Sequence, residues 1–274
     1  MNRLPVVAVA TAVLGGLLHV TIVLALFARA AYPTMESVVG IASLAVTTFA
    51  FGAIALFVSA YTRLLAPAIG FVTVFVATIY LELTSPLPEW SELNGYVIVE
   101  GSTHVASYAG AWYVWLALLL YAGVIEFAIR RGYGIGEHRL RNLPELPLSR
   151  QAVGWVVALC SGLIGAATTL LVIRAGIRPT FAAVAVFGFA VAVAAVPLLA
   201  LLSRGLLTPT VLFALLVPYF LIVEVFVTTD SPVHILLFGP YAVVLAVAWA
   251  LEALIRSRLR GWDGGRFTGR DPSV

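Results

Sequence analysis

The chain has 274 residues, of which 62% are hydrophobic and only 11% charged, and its formal net charge is +3. Soluble domains are about 45–50% apolar and about 25% charged, so this composition excludes a water-soluble fold and predicts a protein surrounded largely by lipid. All 16 basic residues are arginine, and the absence of lysine excludes a retinal Schiff base and a P-loop nucleotide site. The single cysteine, Cys160, excludes a disulfide within the chain and a cysteine-rich metal centre.

Eight apolar segments are long enough to cross a bilayer, which takes about 20 residues in a helix. The sequence therefore predicts an all-α integral membrane protein with eight transmembrane helices. The predicted spans are, in chain order, Leu4–Ala28, Met35–Ser59, Leu64–Leu83, Ser107–Ile129, Ala152–Ile173, Thr180–Leu202, Leu206–Thr228 and Val233–Ile255. The first segment ends at Ala28-Arg29-Ala30, which is typical of a signal-peptide cleavage site. Because its apolar stretch exceeds the 7–15 residues or so of a signal core, we interpret it as a helix.

The arginines are distributed unevenly among the segments that connect these spans. With the N-terminus inside, only Arg29, Arg174 and Arg178 would lie outside, and the other thirteen would lie inside. The loop over residues 84–106 has three glutamates and no arginine, which suits the outer side. Because cytoplasmic loops carry the excess of arginine, this pattern predicts a cell-membrane protein with both termini in the cytoplasm.

Similar short motifs recur in the two halves of the chain. The sequence LLAP ending at Pro67 matches LLTP ending at Pro209, and each proline is followed 15 residues later by a glutamate, Glu82 or Glu224. Gly-Leu at residues 16–17 and Pro-Thr at residues 33–34 recur 146 residues later. This pattern indicates two tandem repeats. Because each repeat holds four helices, an even number, both would have the same orientation in the membrane.

The predicted organisation has four parts. A first four-helix membrane unit covers residues 1–129, a cytoplasmic connecting loop 130–150, a second four-helix unit 151–257, and a basic, flexible cytoplasmic tail 258–274. Besides the bilayer itself, the expected partner of the arginine-rich tail is anionic lipid of the inner leaflet. The glycines of the connecting loop follow no strand, so they do not predict a nucleotide site.

Ionisable residues in or beside the apolar spans are the candidate binding residues, because a charge buried in lipid is costly. From the helical rise, His19 would lie about 22 Å along the first helix, and Glu82 and Glu224 about 28 Å along the third and seventh. The candidates on the outer side are His19, Glu82, His104, Glu224, Asp230 and His234. They would form a polar vestibule that binds a cation, a proton or a polar solute. The alternative is that the glutamates end their helices in the headgroup layer and the histidines are interfacial.

Two further glutamates are predicted to form structural ion pairs at the inner ends of the fourth and eighth helices. Glu126 precedes Arg130 by four residues, and Glu252 precedes Arg256 by four. Glutamate followed by a cation at this spacing is the favourable order on a helix. A haem would need two deep histidines and only His19 is deep, so no cofactor or metal is expected. Nucleic acid is not expected either.

Cys160-Ser161-Gly162, followed by an apolar stretch, resembles the Cys-Ser-Gly motif of exosortases and archaeosortases, which are membrane transpeptidases with a cysteine nucleophile. The resemblance implies Arg204 and His234 as the partners of Cys160. The predicted topology places Arg204 at the inner face, His234 at the outer face and Cys160 within the span. Since groups so far apart cannot act on one bond, we predict no catalytic residue and no enzymatic activity.

A broader resemblance concerns the whole chain. The lysine-free composition, the acidic outer loop, and the segments LRNLPELPLSR and TTDSPVHILLFGPYAVVL resemble polytopic membrane proteins of haloarchaea and other GC-rich prokaryotes. This resemblance implies a membrane location and no particular activity or site.

The predicted function is that of a transporter or permease that moves an ion or small solute along a polar path between the two halves. One alternative is a non-catalytic component, such as an assembly factor, a sensor or a subunit that acts with a protein partner. The other is a membrane-embedded enzyme. A transporter requires a polar cavity, an enzyme requires converging reactive groups, and a non-catalytic component requires neither.

Overall fold

The computed structural model describes residues 6–93, 96–176, 179–227, 233–260 and 265–269. Arg178 and Asp230 lie outside these described residues, as do Leu4 and Thr228 at the ends of two predicted spans.

The described residues form nine α-helices and confirm the predicted all-α polytopic fold. The helices are α1 Val6–Arg29, α2 Val38–Thr62, α3 Ala66–Thr84, α4 His104–Gly110, α5 Trp112–Tyr133, α6 Arg150–Arg174, α7 Thr180–Arg204, α8 Thr208–Phe226 and α9 Phe238–Arg260. All except the seven-residue α4 are long and apolar enough to cross a membrane. Most of their ends agree with the predicted spans to within a few residues, because the length of an apolar stretch is a local property of the sequence.

The fourth predicted span, Ser107–Ile129, contains a break that the sequence does not indicate. α4 ends at Gly110 and α5 begins at Trp112, with Ala111 between them at φ −103° and ψ 19°. The Trp115 indole Nε1 donates a hydrogen bond to the Tyr108 carbonyl oxygen at 3.1 Å. This bond uses an acceptor that a continuous helix would pair with a backbone N–H, so the side chain stabilises the break.

The acidic loop before α4 contains a two-stranded antiparallel hairpin, with β1 at Glu89–Leu93 and β2 at Tyr96–Glu100. Glu89 lies opposite Glu100 in the register, and Leu93 opposite Tyr96. The Trp90 indole nitrogen donates a hydrogen bond to the Ala30 carbonyl oxygen at 2.9 Å. The hairpin is thereby bonded to the residue that follows α1.

The chain divides into two compact units. The first unit consists of Met1–Tyr61 and Leu65–Leu116, and the second of Thr62–Leu64 and Ala117–Val274. α5 begins in the first unit and continues in the second, so residues 117–129 belong to the second unit by their contacts. Tyr121 illustrates this, because its hydroxyl donates to the Ala194 carbonyl oxygen at 2.7 Å and its ring stacks 4.5 Å from that of Phe213. The compact units therefore have different boundaries from the predicted repeats.

α7 is the central helix of the second unit and contacts α6, α8 and α9. Its residues Ala190, Val193 and Ala194 are completely buried. Lipid is as apolar as these side chains, so helices in a membrane associate chiefly through close packing. Gly165 of α6 shows how close the approach is, because an added Cβ would lie 2.6 Å from Val191 of α7.

Candidate functional site

Glu82 lies near the C-terminal end of α3 in the first unit, with 5% of its surface exposed. Its Oε2 accepts a hydrogen bond from the Val105 backbone N–H at 2.9 Å, and its Oε1 accepts one from the Tyr32 hydroxyl at 3.1 Å. Val105 is in the first turn of α4, where backbone N–H groups lack partners within the helix. Burial and the neighbouring Glu82 carboxylate raise the pKa of Tyr32, which keeps its hydroxyl a donor. Both carboxylate oxygens therefore have fixed donors.

His19 of α1 is the most deeply buried titratable candidate in the first unit, at 1% exposure. Its Nδ1 lies 2.8 Å from the Thr48 carbonyl oxygen, and its Nε2 lies 3.0 Å from the Tyr108 hydroxyl. A carbonyl oxygen only accepts, so Nδ1 carries the proton and Nε2 accepts from Tyr108. The rings that surround the imidazole edge-on are Phe75, Phe71 and Phe51, with centroids at 4.6, 5.0 and 5.8 Å. In this neutral form both ring nitrogens are hydrogen-bonded to groups of the protein itself.

His104 is the first residue of α4, and its Nε2 lies 3.2 Å from the Ser85 hydroxyl oxygen. The same short helix supplies Val105 to Glu82 and Tyr108 to His19. α4 therefore brings the three candidates of the first unit to one element, although each bonds to a different partner.

Glu224 lies near the C-terminal end of α8 in the second unit and is 6% exposed. Its Oε2 lies 3.1 Å from Nε2 of His234, which belongs to the 3-10 helix Val233–Leu237. Within the described part of the chain, neither atom makes a hydrogen bond of good geometry. The Phe220 ring lies beside the imidazole, with centroids 5.5 Å apart. The contact is thus an ion pair when the imidazole is protonated. Glu224 therefore contacts a titratable side chain, whereas Glu82 accepts hydrogen bonds from a hydroxyl and a backbone N–H.

Glu126 and Arg130 lie 2.9 Å apart near the C-terminal end of α5. Arg130 Nη1 also donates to the Arg63 carbonyl oxygen at 3.0 Å, and Nη2 donates to the Gly136 carbonyl oxygen at 2.9 Å. Arg63 follows α2 and has a φ of 64°. The pair therefore holds the turn between α2 and α3 as well as the start of the connecting loop.

Glu252 and Arg256 lie 2.7 Å apart in α9. The Glu252 carboxylate accepts from the backbone N–H groups of Leu207 at 3.2 Å and Thr208 at 2.7 Å, where α8 begins. Arg256 Nη1 donates to the Gly205 carbonyl oxygen at 3.3 Å, and Gly205 also has a φ of 64°. This pair holds the turn between α7 and α8 and satisfies free N–H groups at the start of α8.

The three residues that the exosortase resemblance implies lie on separate elements. Cys160 is a free, half-buried thiol in α6, Arg204 is the last residue of α7, and His234 follows α8. Arg204 therefore precedes α8 and His234 follows it, and the 19 residues of α8 span a length of about 28 Å at the helical rise. Among the described residues, no group of three or more histidine, cysteine or acidic side chains could hold a metal ion.

Several partners of the candidate residues were not predicted from the sequence. Thr48 and Tyr108 are 29 and 89 residues from His19, and Tyr32 is 50 residues from Glu82. No local pattern marks such distant contacts. Tyr108 carries only a general signal, since a tyrosine inside an apolar span needs a partner for its hydroxyl.

No protein family model, no curated protein and no solved structure matches this chain. A functional assignment therefore depends on the arrangement of its own residues.

Proposed function

We propose that this multi-pass membrane protein is a transporter of an ion or small solute, in which the Glu224–His234 pair binds a proton or the transported cation. The observation that carries the proposal is the surroundings of Glu224, a buried carboxylate whose Oε2 lies 3.1 Å from an imidazole nitrogen. Ionisable groups buried in membrane-spanning helices are rare, and they commonly mark ion pathways and proton relays.

The comparison with Glu82 supports this choice of residue. Glu82 accepts hydrogen bonds from two donors, and losing its charge would weaken both of them. Glu224 faces His234, which can itself take up or release a proton as the carboxylate changes charge. The two glutamates occupy corresponding positions in the sequence, but only Glu224 has a neighbour suited to proton exchange.

The proline inside α8 gives further support. Pro218 lies inside this helix, six residues before Glu224. It lacks a backbone N–H, so the Ala214 carbonyl oxygen loses its usual helical partner. α8 is continuous from Thr208 to Phe226, and a proline inside a membrane helix is tolerated where neighbouring groups or a polar path satisfy the freed carbonyl oxygen.

We also propose that the chain consists of two tandem repeats with the same orientation in the membrane. Helices α1, α2, α3 and α5 have 24, 25, 19 and 22 residues, and α6, α7, α8 and α9 have 25, 25, 19 and 23. Arg63 and Gly205, which precede the matched helices α3 and α8, share a φ of 64°. Each carbonyl oxygen accepts from the arginine of a Glu–Arg pair.

The similarity between the two proposed repeats extends beyond their last helices, α5 and α9. After α5 and after α9 the chain forms a short 3-10 helix with a buried apolar residue at its end, Leu140 directly after the first such helix and Phe267 as the last residue of the second. Asn142 and Gly269, two residues further on, both have a positive φ, of 53° and 77°. The segment around Phe267 is therefore the counterpart of the connecting loop. The arginine distribution and the even number of spans support a cytoplasmic location for both proposed repeat ends.

A second candidate function is that of a non-catalytic membrane component. The observation that favours it is the bonding of His19 and Glu82, whose polar atoms have partners within the first unit. Such a unit serves as a rigid scaffold for a protein partner. Neither candidate function gives the chain a catalytic residue.

Transport by purified protein in proteoliposomes tests the proposal. A pH-sensitive dye inside the vesicles would report proton movement under imposed pH, sodium and potassium gradients. We expect flux in the wild type, a loss of about a hundredfold or more in Glu224→Gln since a positioned proton-transfer group contributes roughly that much, and unchanged flux in Glu92→Gln. Glu92 is an exposed glutamate of β1 and serves as the matched control. Absence of flux in the wild type, or equal flux in both variants, would overturn the transport proposal.

A further inference from the structure

The C-terminal segment over residues 265–269 packs against the second unit, although its composition predicts a flexible tail. Phe267 is 4% exposed. Its ring lies against Gly132 and Gly205, where an added Cβ on either glycine would overlap the ring. Arg266 Nη1 lies 2.7 Å from Glu137 Oε2 in the connecting loop. Two glycines distant in sequence and one ion pair therefore hold the segment in place.

A polar cavity of about 630 Å³ lies between this segment and the connecting loop. Small-molecule sites have volumes of about 300–1,000 Å³, so the space suits a ligand of modest size. The charged and polar side chains that line it are Arg131, Glu137, His138, Glu145 and Arg266. The cavity belongs to the second unit and is separate from the Glu224–His234 pair.

Arg131 and Glu145 both line this cavity, and neither forms an ion pair within the described residues. Arg266 is paired with Glu137, and the adjacent Arg130 is paired with Glu126. Arg131 Nε is buried and has no hydrogen-bond acceptor within the described ranges, and Nη2 has only the Leu143 carbonyl oxygen at 3.5 Å. Arg131 lines the cavity without a carboxylate partner among the described residues, so its guanidinium can donate charge-assisted hydrogen bonds to a negatively charged ligand there.

We propose that this cavity binds a phosphate ester whose alcohol part carries hydroxyl or ammonium groups. The planar guanidinium of Arg131 fits two phosphate oxygens, and His138 supplies a second donor. Glu145 is an acceptor on the lining, and it pairs with a hydroxyl or ammonium group of the ligand. A soluble glycerol phosphate and the headgroup of phosphatidylglycerol both have this chemistry.

Calorimetric titration of the full-length protein in detergent with glycerol 1-phosphate tests the soluble source. Binding to nanodiscs of phosphatidylglycerol, compared with phosphatidylcholine, tests the lipid source. The variant is Arg131→Gln, and the matched control is Arg139→Gln, since Arg139 is exposed on the same loop and does not line the cavity.

We expect at least one source to bind, with affinity about tenfold lower in Arg131→Gln, as for a lost charge-assisted hydrogen bond, and unchanged in Arg139→Gln. Binding of glycerol 1-phosphate would identify a soluble ligand, and binding to phosphatidylglycerol alone would identify a lipid headgroup. If neither source binds, or if both variants lose affinity equally through general charge attraction, the site does not exist as proposed. Arg131→Lys keeps the positive charge but cannot donate two parallel hydrogen bonds to a phosphate. This variant should therefore also bind the ligand more weakly, while its melting temperature stays at the wild-type value.

Discussion

Replacing Glu82 tests whether this carboxylate is a structural acceptor for two donors. Glu82→Leu leaves the Val105 N–H and the Tyr32 hydroxyl without their acceptor in apolar surroundings. An unpaired buried donor costs about 1–3 kcal/mol, so the free energy of unfolding should fall by about 2–6 kcal/mol. Glu82→Gln keeps one oxygen for Val105, and the Tyr32 hydroxyl can rotate to accept from the new amide. Glu82→Gln should therefore lower the free energy of unfolding by about 1 kcal/mol.

Thermal unfolding in detergent, followed by tryptophan fluorescence, measures the difference. A loss of 1 kcal/mol lowers the melting temperature of a chain of this size by about 2–4 °C. Glu82→Gln should therefore melt a few degrees below the wild type, and Glu82→Leu at least twice as far below. Glu92→Leu is the control, since Glu92 is exposed on β1 and should leave the melting temperature unchanged. If Glu82→Leu melts with the wild type, or if the two Glu82 variants melt together, the structural role assigned to this carboxylate is wrong.

Two further predictions concern His19 and the packed C-terminal segment. His19→Leu removes the acceptor of the Tyr108 hydroxyl and should lower the free energy of unfolding by about 1–3 kcal/mol, whereas equal stability in a melting experiment would show that this bond contributes nothing. Phe267→Ala and Gly205→Ala should both release the C-terminal segment and so speed tryptic cleavage at Arg266. Gly205→Ala should also lower the free energy of unfolding by about 1–2 kcal/mol, because Gly205 has a φ of 64°. Wild-type cleavage rates in both variants would contradict the packing of Phe267.

The sequence predicted the spans because their signal is local, and it failed where a specific side-chain contact decides the structure. The length of the apolar stretch alone predicts α6 and α7, and both helices lie close to the predicted positions. The break between α4 and α5 is stabilised by the bond from the Trp115 indole to the Tyr108 carbonyl oxygen, and the apolar length of the span does not encode this side-chain bond.

The candidate site shows the same limit. Glu82 and Glu224 each lie 15 residues after the proline of a similar motif, LLAP or LLTP, and both are buried. Their chemistry differs because Tyr32 and Val105 contact one and His234 contacts the other. Phe267 lies in a composition typical of disorder, yet Gly132 and Gly205 leave room for its ring. Such complementarity between distant residues is a property of the packed chain.

Infrared difference spectroscopy across a pH titration, on the protein in lipid, tests most directly whether Glu224 exchanges a proton. We expect a carboxyl band that titrates in the wild type, disappears in Glu224→Gln, shifts in His234→Gln and persists in Glu82→Gln. A spectrum in which no carboxyl band depends on Glu224, or in which the titrating band disappears in Glu82→Gln instead, would contradict the proposed role of the Glu224–His234 pair.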